Sequence, residues 1–189
     1  MGWYRFTVGT LAVMIVLSGA RSVAASEPLA KWFALQTCPA LDRLYSKKEP
    51  PDVKTSMESL VVNLPNDVLS NQKMSVTVPW YVYDPKNGVA LSHIGGDSDV
   101  VWTLRVVEGA PPTPLPHVDL SGAHTTSGLK LGASAASVVR MLGKPLVIHA
   151  CGMDRYEYND TKDPHAEPND LDFTIRNGRV IEIVHTSWG

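Results

Sequence analysis

SGLKLGASAASVVRMLGKP, residues 127–145, is the stretch whose reading decides the fold. Val138, Val139, Met141 and Leu142 form an apolar stripe at helical spacing. Ser134 stands where a helix needs an N-cap acceptor, Gly143 where the backbone leaves the last turn with positive φ, and Pro145 forbids continuation. The spacing predicts one short helix with marked ends, and nothing in it is catalytic.

Downstream, Leu146–His149 and Arg155–Tyr158 read as strands, and the polar stretch NDTKDPHAEPND (159–170) reads as a long loop. Leu171–Arg176 and Val180–His185 are joined by Asn177-Gly178, the dipeptide that favours a type I′ hairpin turn. The succession GLKLG, short helix, LGKP, MDRYEY and LDFTIRNGRVIEI, from Gly128 to Val184, resembles the modules of BamE-type outer-membrane assembly lipoproteins and of the related beta-lactamase inhibitory proteins. The resemblance implies a helical segment placed before an antiparallel sheet, and a role in binding other proteins.

Upstream, Leu29, Trp32, Phe33, Leu41, Leu44 and Tyr45 recur at three- and four-residue spacings between Glu27 and Ser46. They predict an amphipathic helix packed on a sheet and interrupted at Pro39. Ser59–Leu64 is rich in β-formers, and Met74, Val76, Val78, Trp80 and Val82 alternate along a further strand. Asp84-Pro85-Lys86-Asn87-Gly88 is a hairpin loop, after which residues 89–94 and 100–106 continue an antiparallel meander with one apolar face. GAPPTPLP (109–116) carries four prolines in eight residues and predicts a linker, 109–118, between a first lobe (26–108) and a second module (119–189). The whole predicts an α+β fold: an N-terminal helix on an antiparallel meander, then a helix-plus-antiparallel-sheet module.

The first 25 residues predict a cleaved signal peptide. Arg5 gives the positive n-region, Val8–Leu17 the apolar core, and Val23-Ala24-Ala25 the small-residue site, with a second site at Ser18–Ala20. An apolar run of ten residues falls short of the roughly 20 that a membrane helix needs. Cleavage after Ala25 leaves 164 of the 189 residues and predicts a periplasmic or secreted protein with no membrane span. No cysteine adjoins either site, so the lipid anchor that the assembly family carries is not expected.

Losing Arg5 and Arg21 takes the basic count from 17 to 15 against 19 acids, a net charge of −4. That balance offers no basic cluster to neutralise phosphates, and argues against nucleic acid as a partner. In an oxidising compartment Cys38 and Cys151 pair, closing a loop of more than a hundred residues and tying the N-terminal segment to the C-terminal module.

The expected function is non-enzymatic binding of another envelope or secreted protein, of inhibitor or immunity type, with an envelope-assembly accessory as the alternative. Tyr81, Tyr83 and Trp102 are candidate contact residues, because Tyr and Trp concentrate binding energy at interfaces. So are Asp163, His165 and Glu167 on the 159–170 loop. A small hydrolase is the reading from another class. It would use His93 beside Asp97 and Asp99, or His149 beside Cys151 and Asp154. Asp160, Asp163, Glu167 and Asp170 offer oxygens for calcium but lack the D-x-D-x-D-G arrangement. No metal, cofactor or catalytic residue is therefore expected.

Overall fold

A computed structural model of the chain describes residues 26–41, 44, 48–66, 79–95, 99–163, 165 and 169–188, the side chains of Ser26 and Trp188 excepted. The predicted signal peptide and the first part, 74–78, of the strand predicted from Met74 to Val82 lie outside the described residues. The fold is mixed α+β, with two helices and a seven-stranded antiparallel sheet among the described residues. No helix among the described residues is long and apolar enough to cross a membrane.

The elements run α1 (Ser26–Ala34), β1 (Leu60–Val61), β2 (Trp80–Asp84), β3 (Val89–Gly95), β4 (Asp99–Val106) and β5 (His124–Thr125). After these come α2 (Ala135–Leu142), β6 (Leu146–Ala150), β7 (Met153–Asn159), β8 (Asp170–Arg176) and β9 (Arg179–Trp188). The large sheet has the order β2-β3-β4-β9-β8-β7-β6, so strands from before and after the proline-rich segment meet where β4 pairs with β9. β1 and β5 form a separate two-stranded ladder.

α2 forms where the local signals place it. The Ser134 side chain accepts from the Ser137 backbone N–H at 3.1 Å, and Gly143 ends the helix at φ 106°, ψ −169°. That extended, positive-φ region is open essentially to glycine alone; the turn past the helix is thus glycine-dependent without being left-handed helical. Val138 and Leu142 pack on Tyr158, Leu171, Phe173 and Ile183. Each fully buried side chain of this size contributes about 1.5–3 kcal/mol. The apolar layer continues along the sheet through Trp80, Val82, Leu91 and Leu104.

α1 stops earlier than its apolar spacing predicts. It ends at Ala34, where Gln36 Nε2 donates to the Trp32 carbonyl at 3.1 Å, and Cys38 then bonds Cys151. Pro39 and the disulfide divert the chain where the sequence predicts an interruption; residues 42, 43, 45 and 46 of the predicted stretch lie outside the described residues. Leu29 and Phe33 lie against Tyr81, Tyr83, Ala90 and Val107 on the face of the sheet opposite α2.

Three hairpin turns follow from their residues. Asp84 Oδ1 accepts from the Lys86 and Asn87 backbone N–H groups, with Gly88 at φ 60°. Asn177 and Gly178, at φ 52° and 72°, form the expected turn between β8 and β9. In the third, Cys151 and Gly152, at φ 54° and 71°, form a two-residue turn between β6 and β7. The proline-rich segment also has a structural part. The Tyr83 N–H donates to the Pro116 carbonyl and the Val118 N–H to the Tyr83 carbonyl, so residues 116–118 run along the outer edge of β2. Pro116 needs only its carbonyl there, which suits proline to an edge.

Candidate functional site

Strand alternation gives the sheet two chemically different faces. Toward α2, one cross-strand row reads Val82, Leu91, Leu104, Ile183, Phe173, Tyr156 and Val147. Toward α1, the adjacent row reads Tyr83, Ala90, Arg105, Glu182, Thr174, Arg155 and Ile148. A second row on that side reads Tyr81, Ser92, Thr103, Val184, Asp172 and Glu157. Between this polar face, α1 and the segment near Lys48 lies a cavity of about 570 Å³. Its size falls in the range of ligand pockets.

The charges in the cavity wall are arranged in two sets. Arg105 pairs with Glu182, donates to the Phe33 carbonyl and sits with its guanidinium carbon 4.6 Å from the Phe33 ring centroid. Glu182 also accepts from Thr174 Oγ1 at 2.5 Å. Arg155 donates to Glu157 at 2.7 Å and to the carbonyls of Leu41 and Leu44, which anchors the chain beyond Cys38 on the sheet. Beside this second set stands Asp172. Burial, and then the neighbouring Glu157 carboxylate, push its carboxyl up from 3.8 to about 8; Asp170 adds to the rise and Arg155 opposes it. Ser92 lines the same cavity at 1% exposure, and its Oγ has no hydrogen-bond partner among the described residues.

The contact residues expected from the sequence do not gather here as a surface. Tyr81 and Tyr83 are buried, at 5% and 8% exposure, because α1 covers the face they occupy. Trp102 points to the opposite face, half-buried against the Trp80 and His93 rings. The tyrosines thus serve as the floor under a helix, not as an exposed patch. Asp163 and His165 are exposed, with the Asp163 carboxylate accepting from the His165 backbone N–H at 2.9 Å; Glu167 lies outside the described residues.

The histidines proposed for hydrolysis are also apart. His93 stacks on Trp80 at 5.2 Å, and burial holds it below the usual imidazole range. His149 is exposed and meets Asp154 at 2.6 Å, while Cys151 is committed to the disulfide with Cys38. Asp97 lies outside the described residues. No histidine lines the cavity among the described residues. The acids of the 159–170 loop diverge as well: Asp160 is buried against His185 at 3.1 Å, Asp163 faces outward and Asp170 lines the cavity. Among the described residues, no group of three His, Cys, Asp or Glu side chains is placed to hold a metal.

The sheet's second distinctive feature is its edge. Residues 116–118 cover β2, whereas β6 pairs only with β7 among the described residues. β6 reads LVIHA, without charge or proline, and Val147 is 37% exposed. Sequence reading placed this strand but gave no sign that it ends the sheet, since strand order depends on partners far away in the chain. Comparison with models of protein families, with curated proteins and with solved structures finds no match.

Proposed function

We infer that the chain is a non-enzymatic protein-binding module exported to the cell envelope, of inhibitor or immunity type, and that an extended segment of its partner adds to the outer edge of β6. The observation that carries this reading is the contrast between the two sheet edges. Natural sheets blunt free edges with charge, proline or a covering segment. Here β2 has its cover and β6 has neither cover nor charge among the described residues. An open apolar edge offers main-chain hydrogen bonds to an incoming strand, with Val147 and its neighbours selecting side chains. The Cys38–Cys151 disulfide suits an oxidising, extracytoplasmic compartment. The order of α2 followed by four antiparallel strands accords with the resemblance to assembly and inhibitory modules.

The test uses the chain without residues 1–25 as bait in envelope extract, alongside Val147→Lys, which puts a charge on the edge. The partner should be recovered at least tenfold less with the variant, and cross-links to the wild-type bait should map to residues 146–150. Equal recovery by both baits sinks the edge reading. The partner's identity then separates inhibition from assembly.

A further inference from the structure

The cavity beneath α1 is independent of the β6 edge and has its own chemistry. Arg105 and Arg155 answer Glu182 and Glu157, so the two arginines, one buried and one half-buried, are committed within the wall. Asp172 remains beside Glu157 and Asp170 with no hydrogen-bond donor of its own among the described residues, and it is partly exposed to the cavity. Its position calls for positive charge. Ser92 lies three strands away along the same row, separated from Asp172 by Thr103 and Val184. At about 4.8 Å per strand, the two positions are roughly 14 Å apart. Ser92 is a deeply buried hydroxyl that lines the cavity without a partner, which a purely structural wall does not need.

We propose that the cavity binds an elongated organic cation, with an ammonium or guanidinium head on Asp172, an apolar stem across Val184 and Thr103, and a hydrogen-bonding tail on Ser92 Oγ. Phe33 and Tyr81 line the same cavity and add apolar surface to it. The head replaces the charge that the wall lacks, and a charge-assisted hydrogen bond counts about twice a neutral one. Binding selects the ionised carboxylate, so uptake releases a proton near neutral pH. The charged groups bearing on that carboxylate are Arg155 and Glu157 from β7, Asp170 from β8, Glu182 from β9, Arg105 and Asp99 from β4, and Lys48 from the segment after α1.

Isothermal titration of the oxidised protein with 8-guanidinooctan-1-ol tests this directly. Two controls are 8-ureidooctan-1-ol, which has a neutral head of the same shape, and octylguanidinium, which lacks the tail. The guanidinium keeps its charge throughout. The full probe should bind at least tenfold more tightly than either control at pH 9. Its affinity should fall about a hundredfold between pH 9 and pH 6, the consequence of a carboxyl titrating near 8. Asp172→Asn, which keeps the shape and removes the charge, should bring the probe down to the urea's affinity. Ser92→Ala should bring it down to that of octylguanidinium. Equal binding of guanidinium and urea heads, unaltered binding to Asp172→Asn, or no binding of the probe at millimolar concentration overturns the proposal.

Discussion

On the α2 side of the sheet Leu171, Ile183 and Phe173 meet a helix whose own residues cap both its ends, and the contact is carbon against carbon. On the α1 side the next row carries Arg105, Glu182, Thr174 and Arg155, and the covering segment is tied down by Arg155 and by the Cys38–Cys151 disulfide. The difference follows from what each face gains. Burying Phe173 and Leu171 returns free energy in proportion to area. Burying an ion pair spends its attraction on desolvation and leaves little net gain. A cover over charges therefore needs anchors beyond packing, and a crosslink joining residues 113 apart in sequence restricts the unfolded chain enough to help. One face holds the fold together, while the other holds a cavity open.

The contrast breaks most visibly at Phe173, which is 0% exposed. Phe173→Ala should cost about 3–5 kcal/mol, the price of lost transfer energy plus the residual cavity. Urea denaturation checks it; a loss below about 1 kcal/mol would mean that the α2 face is not the principal core.

The charged face should respond differently to one change and to two. Glu182→Leu leaves Arg105 buried without its carboxylate and should cost about 3 kcal/mol. Adding Arg105→Met should restore most of that loss, because a buried pair replaced by apolar groups is often close to neutral. If the double variant is no more stable than the single, the pair does more than neutralise itself.

Much of the apolar face was legible in the sequence because its signals are local. Ser134, Gly143 and Pro145 bound α2 within a few residues, and Asn177-Gly178 specifies its turn alone. The disulfide was legible from two cysteines in a chain read as exported. The charged face was not legible. In DRYEY and LDFTI the polar residues alternate as they would on a solvent-facing strand, and only the cover by α1 turns Asp172 and Glu157 inward. Arg105 and Glu182 meet across 77 positions, a pairing that depends on β4 lying beside β9. Tyr81 and Tyr83, expected as contact residues, face away from the apolar core as alternation requires, and the N-terminal helix that the sequence sets on the sheet covers them. Ser92 carried no sequence signal at all.

Asp172 sharpens the comparison through pH. Its carboxyl has an ordinary value of 3.8 and is pushed up to about 8 in the folded chain. Between these values the folded state holds a proton that the unfolded state has released, so this group's contribution to stability falls as pH rises from about 4 to about 8 and is level outside that window. This is the opposite of a carboxylate held low by a partner, whose contribution is lost on acidification. Asp172→Asn removes the titration and keeps the shape. A full pKa unit is worth ~1.4 kcal/mol, but a side chain that opens onto a cavity delivers only part of its shift. The variant should therefore match the wild type near pH 4 and exceed it by about 2 kcal/mol at pH 8. Because both proteins share every other titrating group, the difference between their urea midpoints at pH 4, 6 and 8 isolates this carboxyl. A gap that does not widen with pH would show Asp172 to be solvated like an ordinary surface acid, and the two faces would then differ in composition but not in electrostatic environment.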